Sequence, residues 1–396
     1  MPMPTQISKV RATVRCVLLC LSCAAALLPA RAQAPPAEVM ARDMREEIVR
    51  IPVTVKDLYG RQETRDMPIT IYRPPGDGPH PLLVFNHGRA VTEKRAAQGR
   101  SRPEATARYL VAKGFVVFAP TRIGYWETYG EFDPEANGTC EALRPEAMSA
   151  AASDQVLATI AFAKTLPYVD ASRWVVAGQS VGGLATIATV GRNPPGLIAG
   201  INFAGGTGGN PEQRPGRPCS PQALTSYWGS LAKAATTPML WLYWQNDKFW
   251  GAESPKAWHQ AWQSNGGRAD FTQFPPSGDD GHNGFVADMD SWLPVVDGFL
   301  ARLGFQQAAI AVKPAASGFA DIADADKVPV SAANRAGTYK RFLDSKLPRA
   351  FAIGDRGGWG MASGDYAHGK ALGSCQRFGQ ICKLYAVDDA VVWRAN

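Results

Sequence analysis

Histidine is scarce in this sequence, with five in 396 residues, and charge is sparse too: 19% of residues are charged against 45% hydrophobic. A chain so apolar can bury enough surface to offset its conformational entropy, which excludes a disordered protein. Glycine (39) and proline (30) recur without a fixed period, so a collagen-like fibre is excluded as well. Beyond the first 32 residues there is no Cys-x-x-Cys, and there is no His-Glu-x-x-His and no carboxylate cluster that suggests a metal, hence no expected metal. The run Gly205–Gly209 lacks the Lys-Ser/Thr that cradles a phosphate and reads as a flexible turn, so no cofactor is expected either.

What is present begins with an asymmetric charge. The formal net charge is +7, and Lys9, Arg11, Arg15 and Arg31 supply four of those charges within residues 1–32, which contain no acid. The remainder is nearly neutral, and nucleic acid is not an expected partner. Residues 1–32 read as an export signal: a basic stretch, the apolar run Val17–Ala30, and the small-x-small pattern Ala30-Arg31-Ala32 before cleavage near Ala32. The run falls short of the roughly 20 residues of a membrane-spanning helix, and no later run is long enough, so no integral span is expected. A lipoprotein reading through Cys23 is the weaker alternative, because Leu21-Ser22-Cys23 matches that signal poorly. The expected location is the periplasm or the exterior. Removing the signal leaves Cys140, Cys219, Cys375 and Cys382, an even number in an oxidising compartment. Proximity pairs Cys375 with Cys382 and leaves Cys140 with Cys219.

From residue 33 the pattern alternates. Ile48–Val55 and Ile69–Tyr72 read as strands with period-two alternation, separated by a turn-rich stretch. Buried strands are predicted at Pro81–Asn86, Phe115–Ala119, Arg173–Ala177, Ile198–Phe203, Met239–Trp244 and Ala269–Phe274. Helices are predicted between them, and a last one over Gly284–Leu303. Such alternation implies βαβ units: an α/β fold with a mostly parallel central sheet, mixed at its early edge and covered by helices on both faces. Residues 33–304 form the expected catalytic domain and the Ala-, Pro- and Asp-rich 305–336 a linker. Residues 337–396 make a small α+β domain, with a strand near Ala350–Ile353, a Gly-rich turn, a helix over Tyr366–Cys375 and an apolar, strand-like ending. From residue 305 onward there are twelve basic and eight acidic residues. A solvated face is the plain reading of that excess, and contact with the cell envelope through this domain the minority one.

Sites in parallel sheets lie at the carboxyl ends of the strands, so the loops after Asn86, Ala119, Ala177, Trp244 and Phe274 are where chemistry is expected. Gly178-Gln179-Ser180-Val181-Gly182 follows a buried strand and precedes a helix. By itself the pattern is weak, but in that context it is a tight turn that lifts the Ser180 hydroxyl above the sheet and aims the Val181 N–H at a developing oxyanion. The serine needs a base, and elimination among the five histidines points to His282, in the loop after the last strand. His80 and His87 precede the serine, His259 lies in a Trp-rich helix, and His368 lies in the C-terminal domain. The carboxylate that orients the base is Asp247, after the preceding strand, with Asp279 and Asp280 as competitors. The loop after Asn86 supplies a second oxyanion donor through the Arg89 N–H, while His87 buttresses that loop. Aromatics at two of these loops, Tyr125 and Trp126 (with Tyr129) and Trp244 and Trp250 (with Phe249), are candidate pocket walls, with plain packing as the alternative.

Asn86-His87-Gly88, Gly178 to Gly183, Asn246-Asp247 and Gly281-His282, in that order, resemble the α/β-hydrolase superfamily over roughly Ile48–Leu303, and within it the dienelactone-hydrolase-like group. The resemblance implies the α/β-hydrolase fold, a Ser–Asp–His triad and hydrolysis of an ester through an acyl-enzyme. Dienelactone hydrolases proper carry a cysteine where this chain has Ser180, which favours a general esterase acting on a small ester. Two alternatives stand beside it: a peptidase or amidase of the same superfamily, and a non-catalytic envelope-associated binding protein.

Overall fold

The strands form where apolar residues alternate or run continuously. The computed structural model describes residues 40–90, 94–305, 310–377 and 380–394; the export signal and its cleavage point lie outside the described residues. β1 (Glu47–Lys56) and β2 (Gln62–Tyr72) make an antiparallel hairpin. Its turn is closed by the Asp57 carboxylate, which accepts from the Tyr59 and Arg61 N–H groups at 2.9 Å. β2 begins earlier than its apolar pattern suggests, because Gln62–Arg65 pair with β1 at an exposed end that carries no hydrophobic signal.

β3 (His80–Asn86), β4 (Val116–Pro120), β5 (Val169–Gln179), β6 (Leu197–Phe203), β7 (Met239–Trp244) and β8 (Ala269–Phe274) complete an eight-stranded sheet of order β1-β2-β4-β3-β5-β6-β7-β8. Only β1–β2 and β2–β4 pair antiparallel; every later pairing is parallel. Period-two geometry divides the core into two layers. Leu83, Phe85, Val175, Ala177, Ile201 and Phe203 face α1 (Glu104–Ala112) and α7 (Met289–Arg302). Leu82, Val84, Trp174, Val176, Trp241 and Tyr243 face α2 (Pro145–Ala163), α3 (Val181–Gly191), α4 (Pro221–Ala232) and α5 (Glu253–Ser264).

The helix expected over Gly284–Leu303 is two helices. α6 (Gly284–Ala287) is a single turn, and the chain breaks at Asp288 before α7. The Asp288 carboxylate accepts from the Trp244 indole at 2.8 Å and the Ser291 hydroxyl at 2.7 Å. These bonds favour a non-helical residue where the apolar period alone continues.

The C-terminal region carries a second sheet. After α8 (Ala332–Asn334), a π-helical turn at Arg335–Tyr339 and α9 (Lys340–Leu343) come β9 (Arg349–Gly354), β10 (Trp359–Ser363), α10 (Ala367–Gln376), β11 (Cys382–Val387) and β12 (Ala390–Val391). The strands pair antiparallel in the order β10-β9-β11-β12. β10 lies where the sequence suggests only a Gly-rich turn: a side chain on Gly360 would overlap the backbone of α10 packed against it, so this strand position excludes an apolar side chain. Val328 and Val330, within the stretch read as a linker, are buried with Tyr339, Phe342, Phe351 and Tyr385. The other face of the small sheet, through Ala350, Ala352 and Leu384, joins the core layer that contains α1 and α7. The described residues therefore belong to one compact unit, 39–396. Disulfides join Cys140 to Cys219 and Cys375 to Cys382. Among the described residues no helix is long and apolar enough to cross a membrane.

Candidate active site

β5 ends at Gln179 and α3 begins at Val181, so a single residue must reverse the chain. Ser180 does so with φ 59° and ψ −123°, a conformation that L-residues avoid and that structures keep where function requires it. The turn is possible because its neighbours are glycine. A Cβ on Gly182 would overlap the Asn86 carbonyl oxygen, and one on Gly178 would overlap the Gly182 carbonyl. The strain is held by backbone bonds: Ser180 N–H donates to the Phe203 carbonyl at 2.9 Å, and its own carbonyl accepts from Leu184 at 3.1 Å. Val181 occupies the first turn of α3, where backbone N–H groups have no intrahelical acceptor and the helix dipole favours negative charge.

The loop after β3 lies against this turn. At Gly88 a Cβ would lie 2.5 Å from Gln179 Oε1 and 3.3 Å from the Ser180 Cβ, which places Gly88 and Arg89 at the edge of the elbow. His87 fixes the loop from behind: its Nε2 accepts from the Arg122 N–H at 3.0 Å, so Nδ1 carries the proton and donates to the Gly88 carbonyl at 2.6 Å. Burial, reinforced by the nearby Arg122 guanidinium, pushes the His87 pKa well below its ordinary value, so the ring is neutral. Beneath lies a buried ion pair in which Arg122 Nε donates to Glu135 Oε1 at 2.5 Å and the Tyr125 hydroxyl donates to Oε2 at 2.6 Å. The Arg89 side chain reaches back to the Glu135 carbonyl at 2.7 Å, which anchors the residue that follows Gly88. Sequence reading missed this network, since its acid and its arginine lie in irregular loops with no period to link them.

β7 delivers Asp247 and the loop after β8 delivers His282. Asp247 is buried; its Oδ1 accepts from the Phe249 and Trp250 N–H groups at 2.7 and 3.1 Å, and its Oδ2 lies 2.9 Å from His282 Nδ1. That arrangement puts the proton on Nδ1 and leaves Nε2 with its lone pair. Asp280, one of the competitors, is spent elsewhere, its Oδ1 accepting from the backbone N–H groups of His282 and Lys248 at 3.0 and 2.9 Å. The imidazole stacks on Phe249 with centroids 4.0 Å apart, and Trp250 meets its ring at a steep angle. Gln179, the residue before the serine, donates to the His282 carbonyl at 3.4 Å and ties the two loops together. Among the described residues no hydrogen bond joins the Ser180 hydroxyl to His282; such bonds commonly tighten only around a substrate.

Beside the imidazole opens a cleft of about 270 Å³, formed on one side by Gln98 and Arg100–Pro103 and on the other by His282, Asn283, Phe285 and Val286. The aromatics proposed as pocket walls do not line it. Tyr125 and Trp244 are fully enclosed, with the Trp244 indole bound to Asp288; Trp250 is held inside by its bond to the Ala204 carbonyl at 2.7 Å; Trp126 is half-buried on the far loop. The polar tips of Tyr125, Trp244 and Trp250 find interior acceptors, so these three pack the loops rather than the cleft. Among the described residues no group of His, Cys, Asp or Glu could hold a metal ion.

A mostly parallel sheet with helices on both faces and a serine on a strained strand-to-helix elbow define the chain as a hydrolase of the α/β-hydrolase superfamily. It belongs to the dienelactone hydrolase family, whose sequence profile matches residues 95–299. No curated protein is significantly similar to it in sequence. Among solved structures, a Klebsiella pneumoniae chain assigned as a dienelactone hydrolase shares 17% identity, covering 65% of this chain and 98% of its own at a TM-score of 0.41. A thermostable esterase shares 19%, covering 65% and 62% at 0.37. The Pyrococcus horikoshii acylaminoacyl peptidase shares 13%, covering 68% of this chain but only 43% of its own, at 0.43.

Proposed function

We propose that this protein is a serine esterase that cleaves carboxylic esters through an acyl-enzyme on Ser180. One observation carries the reading: the Asp247–His282 contact of 2.9 Å, which fixes the imidazole tautomer, lies beside an elbow that presents a serine. His282 Nε2 takes the Ser180 proton as the hydroxyl oxygen attacks the ester carbonyl, and the N–H groups of Val181 and Arg89 hold the tetrahedral oxyanion. The C–O bond to the alcohol then breaks, with His282 returning the proton to the leaving oxygen. Water, deprotonated by the same nitrogen, cleaves the acyl-enzyme and restores Ser180. Two oxyanion donors of this kind lower the barrier by several kcal/mol, about 3 for each. The two disulfides support export to an oxidising compartment.

The purified protein is expected to label with a fluorophosphonate and to hydrolyse p-nitrophenyl acetate, and Ser180→Ala to do neither. Labelling that survives Ser180→Ala would end the reading. Labelling together with cleavage of a chromogenic peptide but of no ester would replace it with a peptidase.

A further inference from the structure

Both walls of the cleft beside His282 rest on the same helix of the C-terminal region. One wall is α6, a single turn directly after His282 that carries Phe285 and Val286. A helix of one turn has no stability of its own, because nucleation costs more than its few hydrogen bonds return. Its conformation is therefore set by what packs on it. Phe285 is held by the main core, stacked on Phe85 with centroids 5.3 Å apart and on Trp292 at 5.9 Å. The backbone of Val286 faces outward, onto α10: a Cβ on Gly373 would overlap the Val286 carbonyl oxygen and lie 3.1 Å from Met289 Sδ. The opposite wall, Ser101–Pro103, leads into α1. There a Cβ on Gly369 would lie 2.5 Å from the Ala105 carbonyl oxygen. Gly369 and Gly373 are four residues apart and so share one face of α10. Lys370 ties that helix to Asp290 at the start of α7 at 2.6 Å, Tyr366 meets Tyr109 of α1 edge-on with centroids 4.8 Å apart, and the Cys375–Cys382 disulfide fastens its end to β11.

We infer that the C-terminal module is a working part of the substrate cleft: α10 is a strut across α6 and α1 that sets the width of the cleft, and Gly373 and Gly369 are positioning residues for substrate size. The inference rests on the esterase reading for its substrates, but the strut itself is read independently of any substrate. Widening the seat of α10 by one methyl displaces a wall made of backbone, which cannot rotate away as a side chain would.

The test uses the full chain. Gly373→Ala is compared with wild type on p-nitrophenyl esters from acetate to octanoate, and by hydrogen exchange at residues 284–288. Gly337→Ala, in the same module but with open space around its Cβ position, is the control. The expected result is a KM for the longer esters changed about 3- to 10-fold, with kcat for acetate and the rate of fluorophosphonate labelling within twofold, and faster exchange at 284–288 in Gly373→Ala alone. An unchanged profile across acyl lengths, a uniform loss on all esters, or unchanged exchange at 284–288 would overturn the proposal, as would the same changes in Gly337→Ala. If wild type hydrolyses no ester, the esterase reading falls and the exchange measurement still decides the strut. Should Gly373→Ala fail to fold, Lys370→Met, which removes the tie to Asp290 without adding bulk at the seat, is read in the same way.

Discussion

At the scale of single residues, the arrangement turns on which carboxylate serves the imidazole. Asp247, Asp279 and Asp280 all stand near His282 or at a strand end in sequence, and only three-dimensional placement separates them. Asp280 caps the short turn that bears His282 by accepting from its N–H, whereas Asp247 faces Nδ1 with an oxygen left over for two backbone N–H groups. Asp247→Asn preserves the shape but offers an amide N–H to Nδ1 or forces the ring to the other tautomer, which takes the lone pair from Nε2. We expect kcat for p-nitrophenyl acetate to fall by about 10³–10⁴-fold with little change in unfolding midpoint. A loss under tenfold would remove Asp247 from the mechanism. The positions of Ser180, His282 and the flanking glycines at strand ends were legible, because each of the proposed roles needs a particular residue type there. The Arg122–Glu135 pair behind them was not, since a buried salt bridge leaves no periodic trace and its energetic sign depends on desolvation that only the fold reveals.

At the scale of elements, most buried strands were legible to within a residue, as at Met239–Trp244, because continuous apolar runs between turn residues have few other readings. β5, by contrast, starts at Val169, four residues before its apolar run. Elements whose identity depends on a partner were not. β10 carries a glycine because α10 lies on it, and α6 ends where Asp288 meets Trp244. The loops over the candidate site belong to the same category. The segment after β4 and the segment after β6 are long, yet Asn137 Nδ2 donates to the Thr207 hydroxyl at 2.6 Å, Ser220 Oγ donates to the Cys140 carbonyl at 2.9 Å, and the Cys140–Cys219 bridge closes a separation of 79 residues. Since the first of these segments also carries Glu135 and Asp133, both bound by Arg89, the bridge holds the support of the loop after β3, which is proposed to supply an oxyanion donor. Replacing both cysteines by serine is expected to cost about 2–4 kcal/mol in denaturant unfolding, with a larger drop in kcat than in fluorophosphonate accessibility. Equal stability with and without the bridge would show that the polar contacts suffice.

At the scale of the whole molecule, the sequence distinguished a large α/β region from a small tail but carried no sign that the two share a core, because the contacts join residues hundreds of positions apart. That junction is also where charge is concentrated. Arg108 of α1 pairs with Asp43 at 2.6 Å and with Glu104 at 2.8 Å, Lys313 pairs with Asp388 at 2.6 Å, and His368 of α10 sits among them. Burial and, after it, the Arg108 charge push the His368 pKa from an ordinary 6.5 down to about 4, outweighing the pull of Asp388 and Asp43. Between those two values the unfolded chain binds a proton that the folded chain refuses, so stability rises with pH across that window and this contribution is complete above 6.5. Glu46 acts in a lower window. Its burial opposes ionisation, but the hydrogen bond and charge of Arg102, with Arg100 beside it, bring the carboxyl from 4.5 to about 2, so its contribution is lost as the pH falls through that range. Thermal unfolding of wild type should therefore move to lower temperature from pH 6.5 downward and continue to fall below 4.5. His368→Gln, uncharged at every pH, should flatten the curve between pH 6.5 and about 4.5 and leave the acid limb below it. Parallel curves for the two proteins would mean that the junction between module and hydrolase does not sense this proton, and that the acid sensitivity lies with the carboxylates alone.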